Sequence, residues 1–215
     1  SHELKTPLQS IIGSAELLEN GLVKPEDQPR FLSRIHQEAD RLVALINDIL
    51  RLSQLDEGGA LPHEQVSVLE LAQEAARSLT AQAAAQAVHI SVTGTAGTVF
   101  GVRRLLYEIA RNLCENAVKY NVPGGSVTVE VAETDRDVAL LVRDTGIGIP
   151  EGDQSRVFER FYRVDKSHSR AIGGTGLGLS IVKHAVAYHH GTLRLESQPG
   201  KGTAIAVTLP KEPTE

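Results

Sequence analysis

The chain has 215 residues, 41% of them hydrophobic, and a formal net charge of −5 at pH 7. This length fits one large or two small domains with proper apolar cores. The acidic balance and the lack of a basic stripe argue against a nucleic-acid-binding surface. The single cysteine, Cys114, has no partner for an internal disulfide, and its apolar helical context predicts a buried thiol in a reducing compartment.

The sequence contains no apolar run near the roughly 20 residues that a membrane-spanning helix needs, and no signal peptide. It also contains no methionine and starts at Ser1, in what reads as the middle of a helix. We therefore expect a fragment of a longer protein, whose preceding part could include membrane spans. The fragment itself is expected to be cytoplasmic and to have no direct membrane contact.

Residues 1–57 predict a helical hairpin, because apolar residues recur at spacings of three and four in two successive stretches. Pro7 is expected to kink the first helix or to loosen its first turn. A lone hairpin buries only one seam, so we predict a homodimeric four-helix bundle. The seam positions are Leu4, Leu8, Ile11, Ala15 and Leu18 in the first helix and Leu32, Ile35, Ala39, Leu42, Ile46 and Ile49 in the second.

A glycine-containing stretch at residues 57–62 predicts a linker between domains at 1–57 and 62–211. The second domain has a mixed pattern that predicts an α/β sandwich with a mixed sheet, which makes the whole chain α+β. Helices are predicted at about 67–86, 102–120 and 177–189. Strands are predicted at 88–92, 127–132, 138–143, 192–197 and 203–209.

The helix at 102–120 carries Glu108, Asn112 and Asn116 four residues apart, and hence on one face. Asparagine is a mediocre helix former, so two in register indicate a functional reason. Their side-chain oxygens suit Mg²⁺, while Lys119 could neutralise a phosphate and Tyr120 could stack on a base. An ordinary solvated polar face is the alternative.

Asp144 ends a predicted buried strand and is followed by Gly146 and Gly148. The glycines allow the backbone to pass close to a ligand, and the carboxylate can accept a hydrogen bond from it. A carboxylate suits an amine and would repel phosphate, so we expect Asp144 at the base end of a nucleotide. An ordinary strand-to-loop turn is the alternative.

A glycine-rich loop runs directly into the predicted helix at 177–189, where free N–H groups and the helix dipole favour phosphate. The polar segment before it contains Arg163 and Lys166, which suit a lid over polyphosphate, and the aromatic stretch 157–162 is expected to anchor it. A solvated loop is the alternative. The loop residues are Gly174, Thr175, Gly176, Leu177 and Gly178.

Three histidines near the end of that helix, His184, His189 and His190, could resemble a metal cluster. The spacing of these histidines does not supply three ligands for one metal ion, so we expect helix C-terminal cations or exposed residues instead.

His2 lies in Ser-His-Glu-Leu-Lys-Thr-Pro at residues 1–7, off the apolar seam. Neutral imidazole is a competent nucleophile. Thr6 is four residues on, so it shares a helix face with His2 and could hold a water beside a group bonded there. Glu3 points roughly 100° away and would need a particular rotamer or a second domain to orient His2. A plain surface histidine is the alternative.

Five motifs, in order, resemble those of the catalytic core of a sensor histidine kinase. Residues 1–7 resemble its H box, Asn-Leu-Cys-Glu-Asn-Ala-Val-Lys-Tyr at 112–120 its N box, and Asp-Thr-Gly-Ile-Gly at 144–148 its first glycine box. Residues 157–162 resemble the F box, and Gly-Thr-Gly-Leu-Gly-Leu at 174–179 the second glycine box. Within the family, the chain looks most like the phosphate-sensing type.

The resemblance implies a dimerisation and phosphotransfer hairpin followed by an ATPase domain of the kind shared with gyrase, Hsp90 and MutL. His2 would be phosphorylated from ATP, with Glu3 as its general base partner. Thr6 would position water for dephosphorylation of a response regulator, the expected partner. The family's first helix extends further upstream, so a weakened dimer is expected.

In the ATPase domain, the resemblance assigns Asn112, Asn116 and Glu108 to Mg²⁺ and phosphate. Lys119 would meet phosphate, Tyr120 would stack on adenine, and Asp144 would accept from the adenine amine. The loop glycines would let the lid close. Two alternatives are an ATPase whose ATP site has a conformational role and a degenerate dimeric scaffold without ATP binding.

Overall fold

The computed structural model describes residues 2–56, 61–164 and 174–212, and it opens with two long helices. Helix α1 (His2–Glu19) continues through Pro7, and α2 (Gln28–Asp56) follows after a short connection. The two helices pack on each other as a hairpin, and Arg34 Nε donates to Ser10 Oγ at 3.2 Å. None of the described helices has both the length and the apolarity needed to cross a membrane.

The hairpin leaves many large apolar side chains in solvent. Each of those named below is at least 40% exposed, although the two helices are packed together. An exposed apolar patch of this extent is typical of an interaction surface. Its members are Leu8, Ile12 and Leu17 on α1, Leu22 in the connection, and Leu32, Val43, Ile46 and Leu50 on α2.

The rest of the chain forms a mixed five-stranded sheet with strand order β2-β4-β5-β7-β6, covered by helices. Strands β2 and β4 pair in parallel, and the other neighbours are antiparallel. The strands are β2 (His89–Gly94), β4 (Ser126–Glu133), β5 (Asp137–Asp144), β6 (Thr192–Ser197) and β7 (Thr203–Pro210). The helices are α3 (Val68–Ser78), α4 (Thr80–Ala85), α5 (Arg103–Lys119), α6 (Glu151–Gln154) and α7 (Gly178–Tyr188).

One face of the sheet forms the core, because alternate residues of the central strands are buried. In β4 and β5, buried valines and leucines alternate with more exposed residues, the pattern of a sheet with one solvated face. Helices α3, α5 and α7 supply the other half of the core. Cys114 of α5 lies fully buried there, and burial raises the pKa of its thiol to about 12. The predicted α+β class, the α/β sandwich and the buried thiol are confirmed.

The single helix predicted at about 67–86 is two helices, α3 and α4. The break falls at Leu79, between Ser78 and Thr80, whose hydroxyls donate to backbone carbonyls three residues earlier. Such bonds compete with the helical ladder, which explains the interruption. Strand β1 (Glu64–Ser67) was not predicted; it pairs antiparallel with β3 (Thr98–Gly101) in a separate two-stranded sheet.

His189 corrects the expectation of an exposed or cationic histidine at the end of α7. It is buried, and its Nε2 accepts the backbone N–H of Val102 at 3.0 Å while Nδ1 donates to Ala185 O at 2.7 Å. Burial lowers the pKa of this imidazole. The neutral ring therefore satisfies the backbone N–H of Val102, the N-cap of α5, whose apolar side chain makes no capping hydrogen bond.

Candidate active site

A cavity of about 790 Å³ lies between the α/β domain and the hairpin helix α2. It collects most of the residues that the sequence singled out in the N box, the glycine boxes and the segment after the F box. They come from α5 and the residue after it, the end of β5 and the loop that follows, the segment after the F box, and the glycine loop with the start of α7. The predicted residues that line it are Asn112, Asn116, Lys119, Tyr120, Asp144, Gly148, Arg163, Gly174, Thr175, Gly176 and Gly178.

Asn112 is held by Glu108, which lies one turn earlier on α5 and does not itself line the cavity. Asn112 Nδ2 donates to the Glu108 backbone carbonyl at 2.8 Å and to Glu108 Oε2 at 3.3 Å. Its Oδ1 is thereby turned toward Gly178, at the start of α7. The amide oxygen is thus presented to the loop end of the cavity, and Glu108 positions it from behind.

Lys119 and Tyr120 follow at the end of α5. Gly174 lies so close to Lys119 Nζ that a side chain at this position would have to displace the amine. Burial lowers the pKa of Lys119 to about 8; Glu115 opposes this shift, and the charges of Arg163 and Arg41 add to it. Burial also raises the pKa of Tyr120, whose ring lies 5.6 Å from Lys119 Nζ. Lys119, Arg163 and Arg41 thus act on one another at this end of the cavity, where Glu115 is the opposing acid.

Asp144 lies at the C-terminal end of β5 and is half-buried. Its Oδ1 accepts the backbone N–H groups of Gly146 at 2.8 Å and Thr203 at 3.2 Å. Burial raises the pKa of this carboxyl, and the two N–H bonds oppose the shift. Because both bonds fall on Oδ1, Oδ2 is left as an acceptor for a ligand. Gly146 serves Asp144 in this way and is not itself part of the cavity wall.

The turn at residues 198–202 supports Asp144 from behind, a role that the sequence did not reveal. Gly202 has a φ of +85°, and a side chain there would run into the backbone of Asp144. Thr203, the next residue, donates to Asp144 and lines the cavity. The stretch reads as an ordinary hairpin turn, and only the pairing of β5 with β7 brings it to the site.

The F box and the second glycine box are joined through their backbones. Phe161 N–H donates to Gly176 O at 2.9 Å, and both residues have a positive φ, +65° and +73°. Leu177, predicted as a nucleotide-binding residue, is instead fully buried among Leu45 and Ile181, with Phe161 packed against that cluster. The apolar side chain of Leu177 fits packing in this cluster better than contact with polyphosphate.

Helix α2 forms one wall of the cavity, although the sequence assigned it only to the bundle. Glu38, Arg41 and Asp48 line the cavity, and Thr175 Oγ1 donates to Asp48 Oδ2 at 2.7 Å. The hairpin thus touches the glycine loop directly. Leu4 also packs against the Leu45 cluster, which brings the first turns of α1 to the same interface.

The H box is less fully defined. His2 and Glu3 fall within α1, but their side chains lie outside the described part of the structure, as does Lys166 altogether. Thr6 is exposed on α1, and no described H-box residue lines the cavity. The roles of these residues stay predictions.

Two family models together account for both parts of this architecture. The model described as histidine kinase-, DNA gyrase B- and HSP90-like ATPase matches residues 101–213, and the His kinase A phospho-acceptor domain matches residues 1–58. The chain belongs to the sensor histidine kinase family. The predicted residues that line the cavity fall within the matched ATPase region.

Individual members of the family agree with this assignment. The sensor-like histidine kinase SenX3 of Mycolicibacterium smegmatis is 41% identical over 217 residues, which cover 99% of this chain and 56% of SenX3. The chain thus spans about half the length of the curated relatives that it matches.

Two solved structures show the same fold. The mycobacterial sensor histidine kinase MprB aligns over 71% of this chain and all of its own, with a TM-score of 0.62 and 34% identity. Histidine kinase ThkA, solved in complex with the response regulator protein TrrA, covers 99% of this chain, which spans 60% of ThkA. Its TM-score is 0.78 and its identity 21%, a likeness of fold.

Proposed function

We propose that this chain is a histidine autokinase core that transfers the γ-phosphoryl group of ATP to His2 and then to an aspartate of a response regulator. In the first step the γ-phosphorus–oxygen bond breaks, a phosphorus–nitrogen bond forms at His2, the imidazole loses a proton, and ADP leaves. In the second step the phosphorus–nitrogen bond at His2 breaks, a phosphorus–oxygen bond forms to the aspartate carboxylate of the regulator, and the departing imidazole takes up a proton. Residues 1–57 would be the phosphotransfer domain and 62–211 the catalytic domain.

The observation that carries the proposal is that opposite charges line different parts of the cavity. One part holds Asp144, a carboxylate fixed as an acceptor, and another holds Lys119 beside Gly174. An adenine amine suits the first, and a polyphosphate suits the second. Tyr120 lines the same cavity and offers an aromatic face to the base. Catalysis of such a transfer is mostly positioning and charge neutralisation.

Asn112 fits a role in holding Mg²⁺, together with Asn116 and supported by Glu108. Its amide oxygen is directed into the site because the amide nitrogen is engaged by Glu108. Amide and carboxylate oxygens, completed by water and phosphate, are ligands that this ion accepts. When bound, Mg²⁺ would neutralise charge on the phosphates.

Three further assignments complete the proposal. The exposed apolar side chains of α1 and α2 support a homodimer that buries them as a four-helix bundle. The complex of ThkA with TrrA supports a receiver domain as partner. We also assign Thr6 a water-positioning role in dephosphorylating that partner, and the core a cytoplasmic location.

The test is incubation with ATP labelled at the γ-phosphate, which should give an acid-labile, alkali-stable label on the protein. His2→Ala should abolish the label and retain ATP binding, whereas His36→Ala, an exposed histidine on α2, should label fully. Full labelling of His2→Ala would refute the phosphoacceptor. ATP turnover without protein labelling would instead indicate a conformational ATPase. A screen of the labelled protein against candidate receiver domains would then identify the partner.

A further inference from the structure

Arg41 on α2 lines the ATP cavity from the side of the hairpin. Its side chain is 17% exposed, and its Nε is buried without a hydrogen-bond partner among the described residues. Arg41 forms a loose ion pair with Glu38, whose Oε2 lies 3.8 Å from Arg41 Nη1, beyond hydrogen-bonding distance. Glu38 Oε2 also has no hydrogen-bond partner in the described structure. A guanidinium half-satisfied in this way is ready for an anion.

The charge of Arg41 acts at the end of the cavity where Lys119 approaches the glycine loop. Burial is the main reason that the pKa of Lys119 falls to about 8, and the positive charges of Arg163 and Arg41 lower it further. Arg41 is therefore near enough to Lys119 for the two charges to repel each other. A polyanion between them would turn this repulsion into attraction on both sides.

We propose that Arg41 binds the phosphate groups of the nucleotide, so that the hairpin supplies part of the ATP site. The inference rests on the proposed function, since it concerns the same cavity and ligand. A guanidinium presents several N–H donors in a planar fork that matches phosphate oxygens. Glu38 competes with the phosphates for the same guanidinium group.

Nucleotide binding and domain docking are coupled as a result. Arg41 can reach the phosphates only while the ATPase domain rests against α2, the arrangement held by Thr175 and Asp48. A nucleotide with its phosphates in place therefore favours this docked state, and the docked state binds the nucleotide more tightly by the same factor.

The experiment compares ADP·Mg²⁺ with adenosine, which lacks phosphates, by calorimetry and by competition on the full chain. Arg41→Gln should weaken ADP binding about tenfold, the loss expected for one charged hydrogen bond, and leave adenosine binding within about twofold. Arg41→Lys, which keeps the charge but not the fork, should lie between. Glu38→Gln should have the opposite sign and tighten ADP binding, because it removes the competitor.

Arg30→Gln is the matched control, since it removes the same charge from α2 about 16 Å away along the helix, outside the cavity. It should leave ADP affinity within about twofold. If Arg41 and Glu38 formed only a structural pair, Arg41→Gln and Glu38→Gln would both weaken binding, and the affinity for adenosine would fall as much as that for ADP. If Arg41→Gln is too unstable to measure, a Glu38→Gln variant with unchanged or weaker ADP binding overturns the inference.

The outcomes separate this inference from the proposed function. Wild-type protein that binds no ADP would overturn both. Wild-type protein that binds ADP, with an Arg41→Gln variant of equal affinity, would overturn the role of Arg41 alone and leave the kinase assignment intact.

Discussion

The two parts of this molecule bury their apolar side chains in different ways. The ATPase domain closes its own core, with the sheet valines and leucines packed under α3, α5 and α7. Among its described side chains the hairpin has few that are fully buried, and large apolar side chains along both of its helices are exposed. The ATPase domain thus buries its apolar residues within a single chain, whereas the hairpin exposes an apolar surface that fits the proposed dimer.

Helix α2 shows the same contrast within one element, because two of its faces have different surroundings. The exposed Leu32, Val43, Ile46 and Leu50 form one stripe, whereas Arg41 and Asp48 lie on another side, toward the ATP cavity. The helix period of 3.6 residues separates the two sets by about half a turn. The same helix can thus take part in an assembly and in nucleotide binding at once.

The largest effect is expected from introducing a charge into the exposed apolar stripe of α2, which should disrupt the proposed dimer. Ile46→Glu places a carboxylate in the predicted dimer seam, and we expect the dimer dissociation constant to rise about 100-fold or more, because an unpaired buried charge is costly. Sedimentation over a concentration series measures this. Ser33→Glu, an exposed position elsewhere on α2, should leave the dimer unchanged. A dimer that tolerates Ile46→Glu would show that this stripe is not the interface.

Gly202→Ala should destabilise the ATPase domain by roughly 3 kcal/mol, because the new side chain collides with the backbone of Asp144 at a φ of +85°. All four tyrosines lie between residues 107 and 188, so urea unfolding followed by tyrosine fluorescence reports on this domain alone. Gly200→Ala, also at positive φ but with open space around it, should cost only about 1 kcal/mol. Equal losses for the two variants would contradict the close approach.

Asp144→Asn should weaken ATP binding about 30-fold, or about 2 kcal/mol, and leave the dimer intact. An asparagine oxygen can still accept from Gly146 and Thr203, but its NH₂ group then faces the adenine amine as a second donor. Calorimetric titration with ATP measures the loss. Unchanged affinity would return Asp144 to an ordinary strand-end acid.

The pH dependence of ATP binding should give the smallest effect. With a pKa of about 8, Lys119 is charged in the free protein below pH 8 and loses its proton as the pH rises. Bound phosphate favours the charged amine, so binding above pH 8 takes up a proton, and affinity should fall with pH by up to about tenfold per unit. Calorimetry in buffers of different ionisation enthalpy detects the proton. Lys119→Arg, which stays charged, should flatten the profile.

Much of the ATP site could be predicted because its chemistry lies in short local patterns. The helical spacing of Asn112 and Asn116 predicts a shared face, and an acid before two glycines predicts a ligand approach at Asp144. The structure brings these residues to one cavity, together with the glycine loop. Leu177 was predicted with its neighbours because it lies inside the motif, but its side chain packs against α2 instead.

Features that depend on contacts between distant segments could not be read from the sequence. Thr203 reaches Asp144 only because β7 pairs with β5, and 59 residues separate the two. Arg41 enters the site only because α2 docks against the ATPase domain. His189 looked like a helix-end cation, and its burial follows from the packing of α7 on the start of α5. No local periodicity encodes these three arrangements.

The contact of Leu4 with the cluster around Leu177 sets an upper limit on how strongly a movement of α1 can affect the glycine loop. A shift or rotation of α1 that withdraws Leu4 would loosen the end of the glycine loop without any new ligand. Full burial of one leucine contributes about 1.5–3 kcal/mol, so this single contact can change nucleotide affinity by roughly 10- to 100-fold at most. The same factor applies in reverse, and a bound nucleotide would resist movement of α1 just as strongly. The coupling between α1 and the nucleotide through this contact is therefore moderate in size and reciprocal.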